Sequence, residues 1–311
     1  MMDWTAGFLI SALTTAIVAV PVMKGIVALK SKQTIHAHAP ETHQVKQGTP
    51  TMGGIMVLIG VAVALLASES KDVYAAVALL LGFGFVGFAD DYIVPKMMPG
   101  KRGLGWIPKL GMQFAVGAGA LLLDGRFSNP FMLAAGLFVV LFFTNAYNFA
   151  DGLDALAGSL AVVMSAGFGV LALMQGDPVA ALIAATIAGG FTIFLWFNAP
   201  PAKIFMGDVG ALAIGAVFGY LYLRIGIKAD GAYDMAIQGP LMVLSGVMFA
   251  ELIPVPMQIF WVKVFKKRLF PYTPIHHAFE KAGMAETTVV WRFLVVQIVL
   301  VVAAVGWARW I

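Results

Sequence analysis

Two adjacent acids close a strongly apolar run at Gly87-Phe88-Ala89-Asp90-Asp91-Tyr92. Neighbouring carboxylates repel, and a divalent cation or a shared proton relieves the repulsion. A plain solvated helix end is the competing reading, and a poor one, because the helix dipole favours cations at a C-terminus. The densest polar stretch runs from Asn145 through Tyr147, Asn148 and Asp151 to Asp154. On a helix, Asp151 shares a face with Asn148 and with Asp154. Such oxygen ligands suit Mg²⁺, which usually takes one or two carboxylates together with substrate phosphates. Some of these residues can instead cap the next helix.

Three further segments carry reactive side chains. Asn198-Ala199-Pro200-Pro201 leads to Phe205-Met206-Gly207-Asp208. The prolines forbid continuous helix, Gly207 allows close backbone approach, and Asp208 opens the following helix as an N-cap or a metal ligand. Pro274-Ile275-His276-His277-Ala278-Phe279-Glu280 follows a basic run. Paired histidines can bind phosphate, bind metal or transfer protons. Zinc is disfavoured, because no tetrahedral ligand set with zinc spacing appears. Lys46-Gln47-Gly48-Thr49-Pro50-Thr51-Met52-Gly53-Gly54 could form a phosphate-contacting turn. It lacks the Gly-Lys-Ser/Thr ending of a Walker loop. His36, His38 and His43 read as ordinary loop residues.

These segments hang on an apolar framework. The chain of 311 residues is 60% hydrophobic and 12% charged, against about 25% charged in soluble domains. A membrane span needs about 20 mostly apolar residues. Ten candidates occur, at 6–29, 52–67, 73–92, 109–124, 130–147, 154–174, 179–197, 207–225, 236–262 and 287–309. The second and fourth are short. The ninth is overlong and contains Pro254 and Pro256, so it should break there and send its second half out of the bundle. The expected fold is therefore all-α: one polytopic transmembrane domain over 1–311, with no internal repeat. No cleavable signal peptide is expected. With no cysteine, disulfides and thiolate chemistry are excluded.

Lysine and arginine concentrate in the odd-numbered loops, at Lys24, Lys30, Lys32 and Lys46, at Lys96, Lys101, Arg102 and Lys109, at Lys203, and from Lys263 to Lys281. The even loops hold only Lys71, Arg126, Arg224 and Lys228. The positive-inside rule then makes the odd loops cytoplasmic and both termini extracytoplasmic. The same rule accounts for the formal net charge of +4 without a nucleic-acid partner. Every reactive segment falls in an odd loop or at its membrane edge, which points to one cytoplasmic site.

Taken together, Gly48 through Gly54, Phe88 through Tyr92, Asn145 through Asp154, Phe205 through Asp208 and Pro274 through His277 resemble the phospho-N-acetylmuramoyl-pentapeptide transferases. These form a branch of the polyprenyl-phosphate N-acetylhexosamine-1-phosphate transferase superfamily. The resemblance runs from Lys46 through the last span, in the family's order. It implies transfer from UDP-N-acetylmuramoyl-pentapeptide to undecaprenyl phosphate, giving lipid I and UMP, with Mg²⁺, at the cytoplasmic face of the bacterial inner membrane. It also implies a homodimer.

By resemblance, Asp208 is the leading Mg²⁺ ligand. Asp90 and Asp91 match the paired acids that activate the lipid phosphate or serve as nucleophile. Asn145, Asn148, Asp151 and Asp154 fall in the nucleotide-side loop, with Asn148 also on the metal side. Asn198, Phe205 and Gln258 match positions near the uridine. Lys46, Thr51 and Lys109 match polar positions around the phosphates. His276 and His277 match the first two residues of a histidine loop, His276 as a catalytic residue and His277 as a substrate contact. Two departures stand out: Ala278 replaces a third histidine, and Phe149-Ala150 replaces the usual Leu-Thr.

The chemistry is consistent with the placement. Phosphoryl transfer mainly requires positioning and neutralisation of oxygen charge. One-step displacement and a covalent aspartyl route both fit the residues. Two other functions compete: transfer of N-acetylglucosamine-1-phosphate, and ion-coupled transport. Transporters place their key charges near the midplane, whereas these charges cluster at one edge.

Overall fold

A computed structural model describes residues 2–29, 48–101, 103–228 and 230–311. Lys46, Lys30, Lys32, Arg102 and the three first-loop histidines lie outside the described residues. Every apolar segment forms helix. In chain order these are α1 (Trp4–Ala28), α2 (Gly54–Leu66), α3 (Tyr74–Phe88), α4 (Trp106–Leu121), α5 (Pro130–Ala150), α6 (Leu156–Met174), α7 (Pro178–Asn198), α8 (Gly207–Gly226), α9 (Met235–Leu244), α10 (Gly246–Leu252), α11 (Pro254–Phe265), α12 (Ile275–Lys281) and α13 (Glu286–Ala308). Among the described residues there is no strand, only an isolated bridge between Ile227 and Tyr233. The chain is an all-helical polytopic membrane protein.

Eight helical stretches are long and apolar enough to cross a bilayer. As the sequence suggested, α2 and α4 are shorter, at 13 and 16 residues. Helix α8 is the axis. It packs on α5, α3 and α2, and 89% of its apolar window is buried. A helix apolar all round belongs at such a centre. Helices in lipid lack a hydrophobic drive towards one another, so close approach of small residues matters more. Gly210, Gly215 and Gly219 of α8 accordingly lie against backbone of Gly54, Phe143 and Val140.

The ninth segment breaks twice. The second break falls at Ile253, where Pro254 begins α11, as expected from the prolines. Beyond it, α11 buries none of its residues and leaves the bundle. The first break, at Ser245 between α9 and α10, was not foreseen. Its reason lies on another helix: Gln297 of α13, fully buried, donates to the carbonyl of Leu244 at 2.8 Å, meeting an acceptor at the break.

Candidate active site

The acids meet at the point where α3 abuts the start of α8. Helix α3 continues into a π-helical turn, Ala89–Ile93, that carries both Asp90 and Asp91. Its wider i→i+5 turn reduces the rotation between successive residues, and such turns are frequent at functional sites. Asp90, Asp91 and Asp208 each present an oxygen within 4.8 Å of the others. Gly87 makes this approach possible, since a methyl group there would lie 2.3 Å from the Asp208 carbonyl.

Lys109, at the start of α4, stands between two of the acids. Its Nζ lies 3.4 Å from Asp90 Oδ2 and directly against Asp208 Oδ2. Asp90 Oδ1 also accepts from the Leu104 amide at 2.7 Å. Asp91 Oδ2 accepts from the Val209 amide at 3.1 Å. Asn148 Nδ2 donates to Asp208 Oδ1 at 2.9 Å; in that contact it orients the carboxylate through its nitrogen.

Three loops frame the cluster. The segment after Gly48 is laced to the α7–α8 loop by three backbone bonds: Phe205 to Pro50, Gly53 to Phe205 and Gly54 to Met206, at 2.8–2.9 Å. Gly207 adopts φ +75°, and a methyl group on it would meet Asp91 Oδ2 at 2.6 Å and Thr51 Oγ1 at 2.8 Å. No other residue suits that position, and it brings Thr51 alongside the acids. Met52 and Ala155, at φ 74° and 65°, are non-glycine residues held in the left-handed region. Strain of this kind persists where surrounding structure enforces it, commonly at functional sites.

The α5–α6 loop supplies the third wall. Burial, together with the nearby Asp208 and Asp91 carboxylates, pushes the Asp151 carboxyl well above the usual carboxylate range, and the Gly207 amide only partly opposes this. Asp154 and Asn198 serve the frame: Asp154 Oδ2 accepts from Ala202 at 3.0 Å, while Asn198 joins Ala155 N to Ile204 O at 3.0 and 2.9 Å. Asn145 is bonded one turn deeper, to Gln113 and the Leu141 carbonyl. Phe205 is half-buried in the paired loops.

The histidines lie on α12, their rings 4.2 Å apart. His277 pairs with Glu280 at 2.7 Å. His276 is fully buried against Gly152 of the α5–α6 loop and against Glu251 of α10. Glu251 was missed by the sequence reading, although an acid inside an apolar span is a default functional candidate. Gln258 is not brought to the acids by any hydrogen bond among the described residues. Its Oε1 accepts from Leu269 and Phe270, each at 2.9 Å.

The donor set is all hard oxygen. Three clustered carboxylates with, among the described residues, one ammonium between them suit a divalent cation, so the cluster fits the metal that the family implies.

The family comparisons mark this bundle as a transferase of the phosphosugar type. The glycosyl transferase family 4 matches residues 73–226, and the phospho-N-acetylmuramoyl-pentapeptide-transferase signature 1 matches residues 46–58. The chain belongs to the transferase superfamily marked by this signature.

Proposed function

We propose that the protein transfers phospho-N-acetylmuramoyl-pentapeptide from its UDP-linked donor to undecaprenyl phosphate, giving lipid I and UMP. The observation that carries this reading is the meeting of Asp90, Asp91, Asp208 and Lys109 beside Thr51, which lies in the segment matched by the muramoyl signature. The lipid phosphate oxygen forms a bond to the sugar-bearing phosphorus, and the bridging bond to the uridine phosphate breaks, releasing UMP.

Each residue has work that its placement supports. Asp90 and Asp91 orient the incoming lipid phosphate and accept its proton. Lys109 sets a positive charge beside the reacting oxygens. Asp208, directed by Asn148, would hold Mg²⁺ together with a neighbouring acid. When bound, the ion supplies charge neutralisation at the pyrophosphate and the departing UMP. Asp154 and Asn198 hold the nucleotide-side loops in register, and Asp151 faces the same space. The odd loops, and with them this site, face the cytoplasm, in keeping with the lysine and arginine bias.

The lipid tail has a route. An apolar groove of about 920 Å³ lies between α10, α12 and α13, lined by Val247, Ala250, Phe279, Trp291, Phe293 and Leu300. Replacing Ala250 with Trp should raise the KM for undecaprenyl phosphate severalfold and leave that for the nucleotide unchanged; unaltered lipid kinetics would remove the groove from the pathway.

The deciding assay is UMP release from UDP-N-acetylmuramoyl-pentapeptide, with and without undecaprenyl phosphate and Mg²⁺. Release that needs all three supports the reading. Equal or faster release from UDP-N-acetylglucosamine would move the protein to the other branch.

A further inference from the structure

Glu251 has no part in the reaction proposed above, and its partner His276 is marked there only by resemblance. Glu251 lies within the apolar stretch Gly246–Phe265 and is fully buried, as is His276, and its Oε2 is 2.9 Å from His276 Nδ1. An isolated carboxylate in such a place is costly unless it is paired. The other ring nitrogen, Nε2, is buried and without a hydrogen-bond partner among the described residues. It faces Gly152, where a methyl group would lie 2.4 Å away. Gly152 follows Asp151 directly, and the Asp154 amide two residues on donates to Glu286 of α13 at 2.6 Å. The turn that carries Asp151 and Asp154 is therefore backed by α12 and α13, with the imidazole wedged behind it.

An ionised carboxylate only accepts, so a bond at Nδ1 requires a hydrogen there. A carboxylate behind a histidine fixes both its tautomer and its direction, a role well attested where histidines serve reactive centres. The position of Glu251 itself is set from a distance. Gln297 holds the Leu244 carbonyl at the first break of the ninth segment, and α10 starts just beyond that break.

Resting on the transferase reading above, we propose that Glu251 is a positioning residue for the reaction. It holds His276 with Nδ1 protonated and Nε2 directed at Gly152, and so fixes the turn that presents Asp151 to the acid cluster.

The test uses the full chain in lipid nanodiscs. Glu251→Gln keeps the volume and can bond either tautomer, so it removes the preference without opening a cavity. It should lower kcat about ten- to a hundredfold while the KM for the UDP-linked donor stays within about threefold. Residues acting through one another are non-additive. The double variant Glu251→Gln/His276→Gln should therefore be no slower than His276→Gln alone. Nitrogen-15 NMR of ring-labelled histidine, assigned by signal loss in His276→Gln, should show Nδ1 protonated in the wild type and partly deprotonated in Glu251→Gln.

A kcat for Glu251→Gln within threefold of wild type would overturn the proposal. So would losses that multiply in the double variant, or an unprotonated Nδ1 in the wild type. The NMR result decides the pair's geometry even if Glu251→Gln fails to fold. A wild type that shows protonated Nδ1 but releases no UMP would instead defeat the transferase reading.

Discussion

Helix α8 carries a polar cluster at each end, and the two are built on opposite plans. At its start, Asp208 joins Asp90 and Asp91, with Lys109 as the cation between them. Sixteen residues on, about 24 Å at ~1.5 Å of rise per residue, Arg224 lies 2.7 Å from Asp177, and Arg126 lies 2.6 Å from Asp124. Tyr220 donates to Asp124 at 2.8 Å, and Arg126 also donates to the Arg224 and Ile227 carbonyls. Asp177 further caps α7 through the Val179 and Ala180 amides. At the far end, then, Asp124 and Asp177 each pair with a guanidinium of their own. At the near end, among the described residues, acids outnumber cations. Polar groups that satisfy one another hold helices together; polar groups left in excess of one sign are kept for something that arrives from outside.

The contrast can be broken at several points. The largest effect is expected from Asp208→Asn, which should reduce UMP release on the order of 10³-fold with little change in melting temperature. A variant that kept Mg²⁺-dependent turnover would dissolve the distinction between the ends. Lys109→Met should follow, at about 10²-fold in kcat, checked by steady-state kinetics at saturating substrates.

At the far end the sign reverses. Arg224→Gln strands Asp177 in a half-buried site and should cost about 2 kcal/mol of stability, while molecules that remain folded turn over normally. Lost activity at full stability would show that this end is also functional.

Asp151→Asn tests the near end more finely. A carboxyl held above its ordinary value binds its proton more tightly when folded. Its contribution to stability therefore falls as pH rises past the ordinary 3.8. Removing the charge should raise the melting temperature of chelator-treated protein at neutral pH by about 2–4 °C and flatten its dependence on pH, at the expense of activity. The smallest effect is expected from Asp177→Asn, which keeps the α7 cap but weakens the pair with Arg224. It should lower stability by less than about 1 kcal/mol, read by thermal unfolding.

Much of this was legible in the sequence, for physical reasons. Hydropathy located the long apolar helices, because a membrane leaves the backbone few alternatives; the short α12 lay in a segment read as a loop. The break at Pro254 could be read because its cause is local. The break at Ser245 could not, because Gln297, the residue that meets the freed carbonyl, is more than fifty positions away. The same divide runs through the site. Asp90, Asp91 and Asp208 stood out as acids at membrane edges. The π-helical turn that sets the first two against the third is invisible in composition. Asn198 was expected near a nucleotide, but its contacts with Ala155 and Ile204 show loop bracing that only the folded chain reveals. Lys46 lies outside the described residues. Glu251 was overlooked because its partner, His276, was read as belonging to a loop.

The place of Lys109 has a consequence for how such a protein is made. A nascent chain entering the membrane must assemble its helices before any nucleotide sugar reaches it, and three acids converging at one junction would oppose that assembly. A lysine carried on the neighbouring helix supplies a resident counter-ion, so the bundle can close during biogenesis. The mature site then keeps that lysine in place when its anionic substrates come.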